Sequence, residues 1–301
     1  MAVGDSLGLP YEGLRGRKNK KVWRQTFLAG WGMTSDDTQH AVITYQALRE
    51  SGGDPDRFRA CLGRGLAVWF LCLPPGIGFA TLRACVKLCL GILSPRSGVR
   101  SAGNGPAMRA PMIGWEVEEQ MEELVRISTL TTHTDPRALT GARAVAWTMR
   151  ALRQNPHVDR NALMEMWRNL APDDQEWQML LHAVRDATSV EDLLARTNQK
   201  KGVGGYIYHT VPVCLYIAEK ERGNFQAAVG TALCAGGDTD TTAAIVAALS
   251  AASGGTPPGE WLKILDMPTG TESFWRRLGF NLLALVIILL WHVPKRLVTG
   301  R

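Results

Sequence analysis

Helical periodicity runs along almost the whole chain, and strand signals are nearly absent. Apolar residues recur at three- and four-residue spacing over 39–49, 57–70, 81–90, 116–131, 136–154, 160–169, 175–187, 190–197, 206–220, 224–234 and 241–252. Alternating β-branched runs bounded by turns are hard to find. Gly, Pro, Asn and Asp punctuate the gaps, as in Ser51-Gly52-Gly53-Asp54-Pro55 and Leu73-Pro74-Pro75-Gly76. The pattern predicts an all-α domain of roughly a dozen helices. Thr256-Pro257-Pro258-Gly259 marks the expected end of its core, giving a domain over 1–255 and an extension over 256–301. At 301 residues, 46% hydrophobic and 21% charged, the chain has enough apolar mass for a substantial core.

Two acidic clusters interrupt this background. One is Thr34-Ser35-Asp36-Asp37-Thr38; the other is Gly236-Gly237-Asp238-Thr239-Asp240-Thr241-Thr242. Each precedes an Ala-containing helical run. A single Asp or Ser would suffice to cap a helix. Doubled carboxylates with neighbouring hydroxyls exceed that need. All-oxygen ligand sets suit hard cations such as Mg²⁺, Mn²⁺ or Ca²⁺. Carboxylates gathered in one pocket repel one another unless positive charge lies between them. If the two clusters meet in space, a pair of divalent cations follows, and metal-assisted chemistry with it.

Other segments carry weaker signals. Glu12 ends the Gly-containing start 4–13, and Asp5 in that start reads as a cap for the turn that follows it. Residues 101–111 read as a Gly-Asn loop whose exposed N–H groups suit phosphate oxygens or ribose hydroxyls. His133 reads as a pocket wall or a cap for the next helix.

The ordered set GDSLGLPYEG, TSDDTQ, SAGNGPAMR, THTDP and GGDTDTTAAI resembles the ADP-ribosylglycohydrolase family, whose bacterial members include the hydrolase that acts on ADP-ribosylated dinitrogen reductase. PPGIGFATLRA and GGYIYHTVPVCLY are similar to family segments too, and the resemblance spans about 1–255. It implies an orthogonal, multi-helix, all-α fold with two Mg²⁺ ions, or Mn²⁺, in a cleft. It implies Ser35, Asp36, Asp37, Asp238, Asp240 and Thr241 as metal ligands. Glu12, Asp36 and Asp37 are the implied catalytic groups. Ser101, Gly103, Asn104 and Gly105, with His133 and Tyr206, are the implied ADP-ribose contacts. The expected activity is removal of ADP-ribose from a modified protein or small molecule by cleavage at C1″ through an oxocarbenium-like transition state. Two alternatives stay open: a non-catalytic ADP-ribose-binding or toxin-immunity protein, and a metal-dependent phosphohydrolase. The chain departs from the family pattern at Ala102, where some members carry Tyr or an acid, and at His209, where several carry Asp.

Charge and cysteine usage complete the expectations. The net charge is +6, with Arg15, Arg17, Lys18, Lys20, Lys21 and Arg24 grouped together. They read as a solvated loop or as a rim attracting an anionic substrate. Without an aromatic-studded basic face or a binding motif, nucleic acid is not an expected partner. Six scattered cysteines, with no C-x-x-C pair, fit a reducing cytoplasm. Residues 280–293, FNLLALVIILLWHV, are flanked by Arg276, Arg277, Lys295 and Arg296. As a helix they would span about 21–24 Å, short of the roughly 30 Å hydrocarbon core. They read either as a helix docked on protein or as a short or interfacial membrane anchor, the flanking cations and Trp291 favouring membrane association.

Overall fold

The structure, a computed structural model, describes residues 1–14, 32–74, 76–263, 279 and 282. The basic group at 15–24 and nearly all of the apolar segment 280–293 lie outside the described residues. Among the described residues no helix is long and apolar enough to cross a membrane.

The chain forms the expected all-α fold. In order the helices are α1 (Ala2–Gly8), α2 (Asp36–Ser51), α3 (Pro55–Leu71), α4 (Phe79–Cys89), α5 (Gly105–Glu116), α6 (Met121–Thr132) and α7 (Pro136–Gln154). Then come α8 (Arg160–Asn169), α9 (Gln175–Asp186), α10 (Val190–Arg196), α11 (Ile207–Lys220), α12 (Phe225–Ala235), α13 (Thr239–Ala252) and α14 (Gly259–Lys263). Many begin where the sequence supplies a side-chain acceptor for an orphan N–H. Asp54, Asp135, Asp159, Asp174, Ser189 and Asn224 each accept from a backbone N–H in the first turn. Each such cap is worth about 1 kcal/mol.

Helix α13 is the centre of the molecule. Its residues from Thr239 to Ser250 are all buried, and α1, α2, α5, α7, α11 and α12 pack around it. A helix that is apolar on every side has no solvent face to offer. The small side chains of Ala243, Ala244, Ala247 and Ala248 let its neighbours approach closely. On one flank, Trp177 donates to the Trp167 carbonyl and Trp167 donates to Thr148 Oγ1, so α7, α8 and α9 share one buried indole pair. Trp261 of α14 is buried against Phe225 of α12.

Four boundaries differ from the sequence reading, each for a physical reason. The Gly-containing start is a helix, α1, because packing on α13 supplies what two glycines withhold. Residues 105–111, read as loop, open α5; Pro106 in the first turn suits a helix start. The run 116–131 is broken: α5 ends at Glu116, and α6 begins only after Gln120, which is left-handed at φ 59°. Helices α2 and α13 begin earlier than their apolar patterns, so both acidic clusters lie within or beside a first turn.

The loops at one end of this bundle are held by backbone hydrogen bonds rather than by a sheet. Val99 N–H donates to the Thr132 carbonyl, and Thr134 N–H to that of Val99. Ile207 N–H donates to Ala102 and Asn104 N–H to Gly205. Asp238 N–H donates to Val203, and Gly13 N–H to Gly237. The motif-bearing segments from five parts of the chain therefore meet at one place.

Candidate active site

The two acidic clusters meet. Thr241 Oγ1 donates to Asp37 Oδ2 at 3.1 Å. The reason Asp37 is available lies in the local geometry of α2. Ser35 is the N-cap: its Oγ accepts from Asp37 N–H at 3.2 Å and donates to Asp37 Oδ2 at 3.0 Å. Asp37 is thus relieved of capping duty, and its carboxylate faces α13.

A third carboxylate, not assigned to this cluster from the sequence, completes the centre. Asp5 does not cap the turn after it. Both of its oxygens accept from Ser35 N–H at 3.0 Å; Oδ2 also accepts from Thr38 N–H at 3.1 Å and Thr38 Oγ1 at 2.5 Å. Helix α1 places Asp5 inside the protein, where the orphan donors at the start of α2 are its partners. Asp5, Asp37 and Asp240 each bring a carboxylate oxygen to within 4.8 Å of one another, and all three are buried.

This group is short of positive charge and of donors. Asp37 Oδ1 and Asp240 Oδ1 are buried without a hydrogen-bond partner. Burial first, then the charges of Asp5 and Asp36, hold the Asp37 carboxyl well above its ordinary range. Burial, Asp37 and Asp238 do the same to Asp240. Burial raises Asp5 against its four hydrogen bonds. Asp36 is half-buried; burial, Asp5 and Asp238 push it up to about 7. Unpartnered buried carboxylate oxygens are costly by themselves. A divalent cation with oxygen ligands fits this donor set.

Around the centre lie the remaining residues singled out in the sequence. Asp238 accepts through Oδ2 from Asn104 Nδ2 at 2.7 Å, and the same amide donates to Thr210 Oγ1 at 2.9 Å. Asn104 therefore ties the start of α5 to the start of α13. Glu12 is exposed, beyond the 3-10 turn Leu9–Tyr11; partial burial, then Asp238 and Asp5, raise its carboxyl. The 101–105 segment is not an open row of donors. Gly103 N–H donates to Ser101 Oγ at 3.2 Å and Asn104 N–H to the Gly205 carbonyl at 3.0 Å. Its glycines serve close approach instead. A Cβ on Gly103 would stand 3.0 Å from His133 Nε2, and one on Gly105 3.1 Å from His133 Cε1. His133 is a buried wall beneath this loop, and Asp135, not His133, caps α7.

Tyr206 is half-buried at the edge of the same region. Its hydroxyl donates to Glu176 Oε1 at 2.9 Å and accepts from Arg137 Nη1 at 3.2 Å. His209 meets its ring edge-on at 5.0 Å. Arg137 is in turn paired with Asp135 at 2.9 Å. Glu176 and Arg137 carried no motif signal in the sequence.

A family model described as ADP-ribosylglycohydrolase matches residues 1–286. The chain belongs to the ADP-ribosylglycohydrolase family. An uncharacterized protein of Archaeoglobus fulgidus is 31% identical over 279 residues, covering 87% of this chain and 88% of that one. The uncharacterized protein YegU of Escherichia coli K12 is 26% identical, covering 83% and 84% respectively. A solved structure titled "ADP-ribosylglycohydrolase-related protein complex" superposes with a TM-score of 0.67 at 25% identity, over 93% of this chain and 92% of its own. The match extends through both acidic clusters and every loop described above, so the ADP-ribosylglycohydrolase scaffold spans the whole site.

Proposed function

We propose that this ADP-ribosylglycohydrolase is a magnesium-dependent hydrolase that releases ADP-ribose from a modified protein or a small ADP-ribose derivative by cleaving the C1″ glycosidic bond. The observation that carries the reading is the trio Asp5, Asp37 and Asp240, buried together with two carboxylate oxygens left without donors. A site built only to bind a neutral sugar edge has no use for that much uncompensated charge. Ser35, Asp36, Asp37, Asp238, Asp240 and Thr241, joined by Asp5, would hold two Mg²⁺ ions, with Mn²⁺ an acceptable substitute. When bound, the cations supply charge neutralisation and Lewis-acid orientation of the ribose hydroxyls.

The protein's own groups do the rest. The 101–105 loop, backed by His133, receives the ADP-ribose backbone, and Tyr206 forms part of the wall. Glu12, exposed where water has access, exchanges a proton with the water or the leaving group as the bond to C1″ breaks. Asp36, half-buried beside the trio, is the second candidate for that exchange. The site residues all lie within the 1–255 domain, with 256–301 an extension that starts with α14 packed on α12. Free cysteines throughout the described residues agree with a cytoplasmic setting.

The test is hydrolysis of a panel of defined Arg-, Ser- and nucleotide-linked ADP-ribose substrates, with Mg²⁺ and with EDTA. At least one linkage should turn over, and only with the cation. Glu12→Gln should lower kcat on the order of 10²–10⁴-fold with little change in KM, the range for a general acid or base. Stoichiometric binding with no turnover on any linkage would instead assign a binding or immunity role. Release of inorganic phosphate would assign a phosphohydrolase.

A further inference from the structure

Arg109 of α5 is fully buried, yet among the described residues it forms no ion pair. Its guanidinium is satisfied by neutral groups alone. Nε donates to Ser128 Oγ at 3.0 Å; Nη2 donates to the Ser128 carbonyl at 2.9 Å and to Thr132 Oγ1 at 2.7 Å. Nη1 lies 3.3 Å from His40 Nδ1. Burial works against its charge, which the negative charge of Asp36 favours from beyond ion-pair distance, and two imidazoles are set by its donors.

The proton count fixes both rings. A guanidinium only donates, so His40 Nδ1 accepts and His40 carries its proton on Nε2, an atom buried without a hydrogen-bond partner. On the other side, Thr132 Oγ1 already accepts from Arg109 and lies 2.8 Å from His133 Nδ1. If His133 Nδ1 carried the proton, the buried Thr132 O–H would be left with no acceptor. With Nδ1 as acceptor the Arg109 N–H and the Thr132 O–H are both used, and His133 holds its own proton on Nε2, which has no acceptor among the described residues. Nε2 is the atom nearest a Cβ position on Gly103, so this N–H lies against the 101–105 loop.

We propose that Arg109 is a positioning residue that, through the Thr132 hydroxyl, locks His133 as a neutral imidazole with its N–H on Nε2, a donor held ready for an oxygen of the ligand that occupies the loop. The same cation locks His40 in the same tautomer on its far side. Burial first, then Arg109, keeps both rings uncharged, with His133 driven down to about 3 and His40 well below its ordinary value. The ligand half of this proposal rests on the ADP-ribosyl reading of the site; the tautomer half does not.

Two measurements decide it. In ¹⁵N-histidine spectra of the ligand-free protein at neutral pH, His133 and His40 should both show protonated Nε2 and unprotonated Nδ1. Thr132→Val, which keeps the shape and removes the hydroxyl, should move His133 to a tautomer mixture and leave His40 unchanged. ADP-ribose binding by calorimetry should weaken in that variant by the factor to which the Nε2–H tautomer is depopulated, about twofold for an even mixture. Arg109→Lys keeps the charge without the fork and should disturb both rings, which covers the case in which Thr132→Val does not fold. A proton on His133 Nδ1 in the wild type, or an unaltered His133 tautomer or ADP-ribose affinity in Thr132→Val, overturns the proposal. Wild-type protein that shows the expected tautomers but no affinity for ADP-ribose would sink the ligand half and the proposed function while leaving the relay standing.

Discussion

Asp240→Asn should make the cation-free protein more stable and, at the same time, remove its activity. The two effects have one cause. In the absence of cations Asp240 is a buried carboxylate beside Asp37 and Asp5, with one oxygen lacking any donor. Its carboxyl stands well above its ordinary value, as does that of Asp37. A raised acid contributes most to stability below the unfolded value of about 4, and that contribution is lost as pH rises. The neutral amide therefore gains little at pH 4 and most at pH 7–8. Each kcal/mol relieved lifts Tm by about 2–4 °C in a domain of this class. Adding Mg²⁺ should reverse the order, stabilising the wild type by mass action and the variant far less. Loss of a ligand worth several kcal/mol of transition-state stabilisation predicts a fall in turnover of about 10³-fold. Thermal melts in EDTA and in Mg²⁺ at pH 5 and pH 8 read the first effect. A variant less stable than wild type in EDTA at pH 8 would mean that the site is not electrostatically strained.

Gly8→Ala should damage the protein severely although Gly8 touches no ligand. Helix α1 crosses α13 at this point. A Cβ on Gly8 would lie 2.4 Å from the Thr239 carbonyl oxygen and 2.5 Å from Asp240 Cα. Those are backbone atoms of the most buried helix in the molecule, so they cannot turn aside. Thr239 Oγ1 also donates to the Gly8 carbonyl at 2.9 Å, fastening the two helices together. Overpacking of this kind costs about 3 kcal/mol, the upper end of its usual range. The displacement also separates Asp5 from Asp240, and a shift of about 1 Å in a catalytic constellation costs about 10²-fold in rate. Gly259→Ala, where a Cβ meets nothing within 4 Å, is the control and should be close to neutral. Wild-type Tm and activity in Gly8→Ala would contradict the close α1–α13 crossing.

The parts of this structure that could be read from the sequence are those governed by short-range rules. Periodic apolar spacing located most helices, because a helix that buries one stripe must repeat it. The doubled carboxylates of Asp36-Asp37 and Asp238-Asp240 were conspicuous because one acid suffices for a cap. What escaped was set by contacts distant in the chain. Asp5 looked like a local cap because its true donors, Ser35 and Thr38, belong to another helix. Helix α1 was hidden by glycines that exist for its packing on α13. The start of α5 was hidden by Gly105 and Pro106, residues that favour turns and helix starts alike. Arg109, lodged in what read as a loop, gave no sign that it is buried. Nor did the 101–105 segment reveal that Gly103 and Asn104 N–H are engaged, since their acceptors are Ser101 Oγ and the distant Gly205 carbonyl.

The central claim is that carboxylates from α1, α2 and α13 form one cation-holding pocket. Crystals grown with Mn²⁺ and measured for anomalous scattering test it most directly. The account predicts a strong peak touching the carboxylates of Asp5, Asp37 and Asp240, absent from crystals of Asp240→Asn. A well-ordered wild-type crystal saturated with Mn²⁺ and showing no peak among those three side chains would contradict it.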